Sequence, residues 1–208
     1  MNPLLSFALV TFSSIFFVVD PLAIVPSFLA MTAGDSNEKK QRMAKKAGVA
    51  TTVTLLVFAF AGGLIFQIFG ITLGAFKVAG GVLLFLLALD MMRATPSKVR
   101  QTEEEAQAGA EKDDIAIIPL TIPMLAGPGA IATTMVCVTN ARNLSEQAVI
   151  VVVILLTGLL TWLVLRSALL VETRLGTTGL NVLTRVMGLI VAAIAIQFIV
   201  TGLKELWL

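Results

Sequence analysis

The chain has 208 residues, 57% of them hydrophobic and 13% charged, with a formal net charge of +2 and a mean hydropathy of +0.95. A water-soluble domain carries about a quarter charged residues, so a soluble globular protein is excluded and a helical membrane protein is implied. There is no histidine and a single cysteine, Cys137, which excludes an internal disulfide and dithiol electron transfer and speaks against a transition-metal exporter.

In chain order, the first apolar run covers about 5–33 and contains VVDPLAIVPSFLAMT (18–32). It lacks the basic start and unbroken apolar stretch of a cleavable signal, so it is expected to stay as a first span. Asp20, Pro21 and Pro26 interrupt it. Proline inside a helix costs roughly 3 kcal/mol or more, and in lipid the freed backbone groups find no water. Continuous helix over 3–33 would be about 46 Å long, more than a ~30 Å hydrocarbon core needs. The segment is therefore predicted to be bent or unwound near Asp20, which can cap the following half-helix or line a cavity. An ionisable residue at membrane depth is a functional candidate, as a proton carrier or as partner to a cationic group.

Two further runs follow at 47–70 and 74–92. Gly62, Gly63, Gly80 and Gly81 are expected to let helices approach closely, and Lys77 to extend toward the interface. The stretch 93–114, with TEEEAQAGAEKDD (102–114), reads as a charged linker. The fourth run, 115–139, contains Pro119, Pro123 and Pro128, the last flanked by Gly127 and Gly129, and is the second predicted broken helix. Thr133 and its neighbour Thr134 can bond a ligand or their own helix backbone. Runs at 146–171 and 183–206 complete six, each near the ~20 residues that cross a bilayer. Gln197 in the last is expected to bond between helices.

With six alternating spans, 12 of the 15 basic residues fall on one side. The positive-inside rule makes that side cytoplasmic and puts both termini outside. The linker divides the chain into 1–92 and 115–208, three spans each. Pro21 and Pro128 match at an offset of 107, and Lys77 with Gly80 match Arg185 with Gly188 at 108. An odd number of spans per half makes the halves inverted, the pattern of secondary transporters whose solute site lies between paired broken helices. The expected architecture is thus an all-α polytopic membrane protein of six transmembrane helices in two inverted three-helix repeats, with helices 1 and 4 broken. Half-helix N-termini suit a carboxylate and unwound carbonyls suit an ammonium. A small zwitterion satisfies both. The expected site residues are Asp20, Pro21, Ala23, Pro26, Gly127, Pro128, Gly129 and Thr133.

The segments DPLAIVPSF (20–28), FKVAGG (76–81), PLTIPMLAGPGAIATT (119–134) and LNVLTRVMGLIVAAIAIQFI (180–199) together resemble the MarC family of integral membrane proteins, whose SnatA-like members are described as small neutral amino acid transporters. The family's first motif, N-P-x-G-x-x-P-x-F, is matched here at Pro21, Pro26 and Phe28, while Asp20 stands for the asparagine and Ala23 for the glycine. The resemblance implies six spans in inverted halves and, for some members, transport of glycine, alanine and similar solutes. The expected function is a secondary transporter of such an amino acid, proton-coupled, in the bacterial inner membrane. The alternatives are an exporter or channel for another small solute and a non-transporting scaffold. No nucleotide-binding G-x-x-x-x-G-K-[ST] is present, and neither enzyme activity, cofactor, metal nor nucleic-acid partner is expected. Expected partners are the solute, protons and the bilayer, with self-association left open.

Overall fold

The computed structural model describes residues 3–32, 35–93, 116–117 and 120–207. The expected linker, beyond Arg93, and Pro119 lie outside the described residues. Among those described, every regular element is helical: α1 (Pro3–Val19), α2 (Val25–Met31), α3 (Asn37–Phe69), α4 (Leu73–Arg93), a π-helical turn (Leu120–Leu125), α5 (Pro128–Asn140), α6 (Leu144–Arg166) and α7 (Ala168–Trp207). Four segments are long and apolar enough to cross a membrane: Asn37–Phe69, Leu73–Arg93, Leu144–Arg166 and Asn181–Trp207. They correspond to the second, third, fifth and sixth apolar runs. The first and fourth runs are each divided into two shorter pieces.

The bundle is apolar on its outside. Val49, Val53, Val57, Phe60, Leu64 and Ile68 form an exposed stripe along α3, an apolar surface that only lipid or another protein would cover. The face turned inward is small instead, with Ala44, Ala47, Gly48 and Thr51 buried. In lipid, helices gain little from burying greasy side chains, so close packing of small residues holds them together. At the crossing of α3 and α6, a Cβ on Gly48 would stand 2.8 Å from the Gly158 carbonyl oxygen, and one on Gly158 would stand 2.9 Å from that of Gly48.

Helices α4 and α7 share the most extensive contact in the molecule, and a ladder of small residues explains it. Gly74, Gly81 and Ala88, seven apart, meet Gly202, Ala195 and Gly188, seven apart in the opposite direction. A seven-residue period keeps one seam facing its partner in a left-handed packing. The contact of Gly81 with Ala195 and that of Gly188 with Ala88 are related by a shift of 107 residues, the spacing of Pro21 and Pro128, and not by the 108 that pairs Gly80 with Gly188. Gly62 and Gly80 do approach α5, at Met135 and Ala132, whereas a Cβ on Gly63 would meet nothing within 4 Å.

The last joint has its own geometry, and one other expectation, that for Gln197, changes. The joint between the fifth and sixth runs is helical, interrupted at Gly176, where φ 64° and ψ 174° leave the helix; glycine reaches that region without steric cost. Gln197 bonds within its own helix, Nε2 donating to Thr201 Oγ1 at 3.3 Å on an exposed face, because its neighbours there point outward.

Candidate functional site

The first break follows from one proline. The residue before proline is pushed out of the right-handed helical region, so α1 ends at Val19. The Asp20 N–H still donates to Phe16 O at 2.9 Å, but its own φ is +45°. Aspartate tolerates that left-handed conformation better than most side chains. Its Oδ1 accepts from the Ala23 N–H at 3.3 Å, the N-cap bond that starts the next turn. Pro26 then falls in the first turn of α2, where its missing N–H breaks no helix bond. Asp20 is wholly buried. A carboxyl group thus sits inside the protein where the chain changes direction.

The second break uses two prolines. Ile122, before Pro123, is extended at φ −115° and ψ 116°, and Ile122 and Ala126 donate five residues back, to Ile117 and Thr121. Thr121 Oγ1 lies 2.6 Å from Ala116 O and 3.4 Å from Ala47 O, tying this turn to α3. Gly127, before Pro128, is extended and caps α5 with no side-chain bond. The first-turn N–H groups of an α-helix have no partner within it and carry its positive end. The two breaks therefore differ: one carries a capping carboxyl group, while a glycine stands at the other.

The breaks lie against each other. A Cβ on Gly129 would be 3.5 Å from Val18 Cγ1 and 2.9 Å from Leu84 Cδ2. A cavity of about 10 Å³ lies between Val18, Leu87, Met124 and the Gly127–Gly129 turn, room for about one water molecule. Between these residues there is no room for an amino acid. Of the eight expected site residues, Gly127, Pro128 and Gly129 line this cavity, with Val18 two residues before Asp20. Asp20, Pro21, Ala23, Pro26 and Thr133 do not. The hydroxyls of Thr133 and Thr134 donate to Gly129 O and Ala130 O, each at 2.8 Å, so both serve their own helix in this conformation.

A polar cluster not expected from sequence lies near the start of α4 and the ends of α5 and α7. Lys77 is 2% exposed, and its Nζ donates to Glu205 Oε1 at 2.5 Å and Asn140 Oδ1 at 3.1 Å. It was expected to extend to the interface, but Gly202 lets α7 close over its stem, a Gly202 Cβ falling 2.9 Å from Lys77 Cβ. A buried ammonium demands a counter-charge, and the glutamate near the chain's end was the available signal. Glu205 is 38% exposed on its side chain, so the two partners differ in what their loss leaves behind. Glu205→Ala strands a buried charge and is expected to cost about 3 kcal/mol. Lys77→Met leaves a carboxylate that water can reach and is expected to cost only about 1 kcal/mol. Thermal unfolding of the two variants in detergent checks the order.

The model of the MarC family integral membrane protein matches residues 5–207. A UPF0056 membrane protein of Methanocaldococcus jannaschii is 40% identical over 200 residues, covering 96% of this chain and 97% of that protein. YvbG of Bacillus subtilis, also a UPF0056 membrane protein, is 36% identical, covering 97% of this chain and 96% of its own. YhcE of Escherichia coli, a third, is 34% identical, covering 94% and 91%. No solved structure matches the chain. With a family model spanning nearly its whole length and relatives this similar end to end, the chain belongs to the MarC family of integral membrane proteins.

Proposed function

We propose that this protein is a secondary transporter of a small neutral amino acid, of the size of glycine or alanine, working by alternating access at the two opposed breaks and coupled to protons through Asp20. The observation that carries the reading is that Asp20-Pro21 and Gly127-Pro128 interrupt helices 107 residues apart, and that Val18, just before the first, packs on Gly129, just after the second, where a Cβ would stand 3.5 Å from Val18 Cγ1. Paired interrupted helices of this kind mark the midplane site of inverted-repeat transporters.

Six spans in two inverted halves, 1–92 and 115–208, form the framework of this reading. Its support is the reciprocity of the packing. Exchanging the halves carries the α3–α6 and α4–α7 contacts onto themselves, the α1–α6 contact onto that of the π-helical turn with α3, and the α4–α5 contact onto that of α2 with α7. In the closed conformation the solute space is shut. Opening separates Val18 from the Gly127–Gly129 turn and frees the N-terminus of α5 for a carboxylate, while Asp20, Pro21, Ala23, Pro26 and Thr133 complete the enclosure. The basic-rich end faces the cytoplasm and both termini face outward. No enzymatic step, metal or cofactor is part of this function.

Binding tests the substrate class. Purified protein is expected to bind labelled glycine saturably, with displacement by alanine and not by glutamate or lysine. Absence of saturable binding of any neutral amino acid to folded protein would reject the reading.

A further inference from the structure

A cavity of about 220 Å³ opens where α2, α3, α6 and α7 meet, with Phe28 and Leu29 of α2 on one wall, and shares no lining residue with the cavity at the breaks. Its polar wall includes Asn37, Lys40 and Gln41 from the start of α3 and Arg166 from the end of α6; its apolar wall includes Leu165 and Leu169. Lys40 and Arg166 stand at one level, because each lies eight residues along its helix from the Gly48–Gly158 crossing, roughly 12 Å at 1.5 Å per residue. Among the described residues, neither cation is in an ion pair and no carboxylate lines the cavity. Arg166 rests its guanidinium 5.3 Å from the Trp162 ring centroid, while the nearby Lys39 is paired with Asp35 at 2.7 Å.

Two cations that line one cavity with no carboxylate beside them leave a positive field that an anion there would neutralise. The surroundings say which anion. Arg166 ends a membrane-crossing helix, and so stands at the depth of lipid headgroups. Leu169 and Leu170, more than half exposed, continue the apolar wall outward, a surface suited to an acyl chain and useless to a free ion. Among the described residues, the end of the molecule holding this cavity also carries most of the basic side chains, those of α3's first turns and the ends of α4 and α6, the charge complement of an anionic leaflet.

We propose that this cavity binds an anionic phospholipid, its phosphate held between Lys40 and Arg166 and its acyl chain lying along Leu165 and Leu169. Nothing in the site depends on what the chain transports, so the two readings stand or fall separately.

The test is titration of the purified full-length protein with phosphatidylglycerol or phosphatidylcholine in mixed micelles, followed by thermal unfolding and by native mass spectrometry of retained lipid. Phosphatidylglycerol is expected to raise the unfolding temperature and to be retained, phosphatidylcholine not. The Lys40→Gln/Arg166→Gln pair is expected to weaken phosphatidylglycerol binding about tenfold or more. Arg42→Gln, an exposed cation at the same end but outside the cavity, is the control and is expected to change little. Three results would overturn the site: no preference between the lipids, equal loss in Arg42→Gln, or the same stabilisation by inorganic phosphate, which would make it a free-anion site. Mass spectrometry reads retained lipid directly, so a variant with an altered unfolding temperature still gives an answer.

Discussion

Gly81→Ala is expected to destabilise the folded chain by about 2–3 kcal/mol, the range of overpacked cores, and Gly63→Ala to stabilise it by about 0.5–1 kcal/mol. The chemistry of the change is identical. A Cβ on Gly81 would stand 2.7 Å from Ile199 Cγ1 and 2.8 Å from the Ala195 carbonyl oxygen, and would be 3.1 Å from the Ile199 nitrogen. Two of those atoms are backbone of α7 and cannot move without parting the helices. At Gly63 the same methyl meets nothing within 4 Å and only restricts the unfolded chain. Thermal unfolding of both variants in one detergent decides it. Equal shifts would mean that the small-residue ladder does not hold α4 to α7.

The second large effect is at Asp20. Asp20→Asn keeps an oxygen that can accept from Ala23 N and a side chain tolerated at φ +45°, so the fold is expected to survive. Asp20→Val loses the cap and places a β-branched residue at a positive φ, which together are expected to cost about 2–3 kcal/mol. The pair separates structure from coupling. If Asp20 carries the proton, Asp20→Asn folds like the parent yet loses the response of transport to a pH gradient. If Asp20 is only a cap, Asp20→Asn transports as the parent does and Asp20→Val is simply less stable.

What the sequence revealed and hid follows from the range of the interactions. The breaks were legible because their cause is local: a proline restrains its own neighbour, so Asp20 and Gly127 were readable as interruptions from a few letters. The site's closed state was not, since it depends on how far Val18 stands from Gly129, on helices more than a hundred residues apart. Lys77 was misread for the same reason. Its depth was set by Gly202 and its partners are Asn140 and Glu205, 63 and 128 residues away. The offset of 108 read for the third and sixth spans differs by one from the 107 that relates the contacts of Gly81 and Gly188. Matching Gly80 to Gly188 by letter ignored which of two adjacent glycines faces α7, and only the contacts of Gly81 settle that. The letter of Thr133 alone leaves ligand and backbone both open as partners, and in this conformation its hydroxyl is bonded to Gly129 O.

The central claim is that the two opposed breaks carry a small neutral amino acid across the membrane on a proton gradient. Uptake of labelled glycine and alanine into proteoliposomes holding the purified chain, with and without an imposed pH gradient, tests it most directly. The account predicts saturable uptake of both that rises with the gradient and is lost when the gradient is collapsed. Folded, reconstituted protein that moves neither amino acid under any gradient would contradict it.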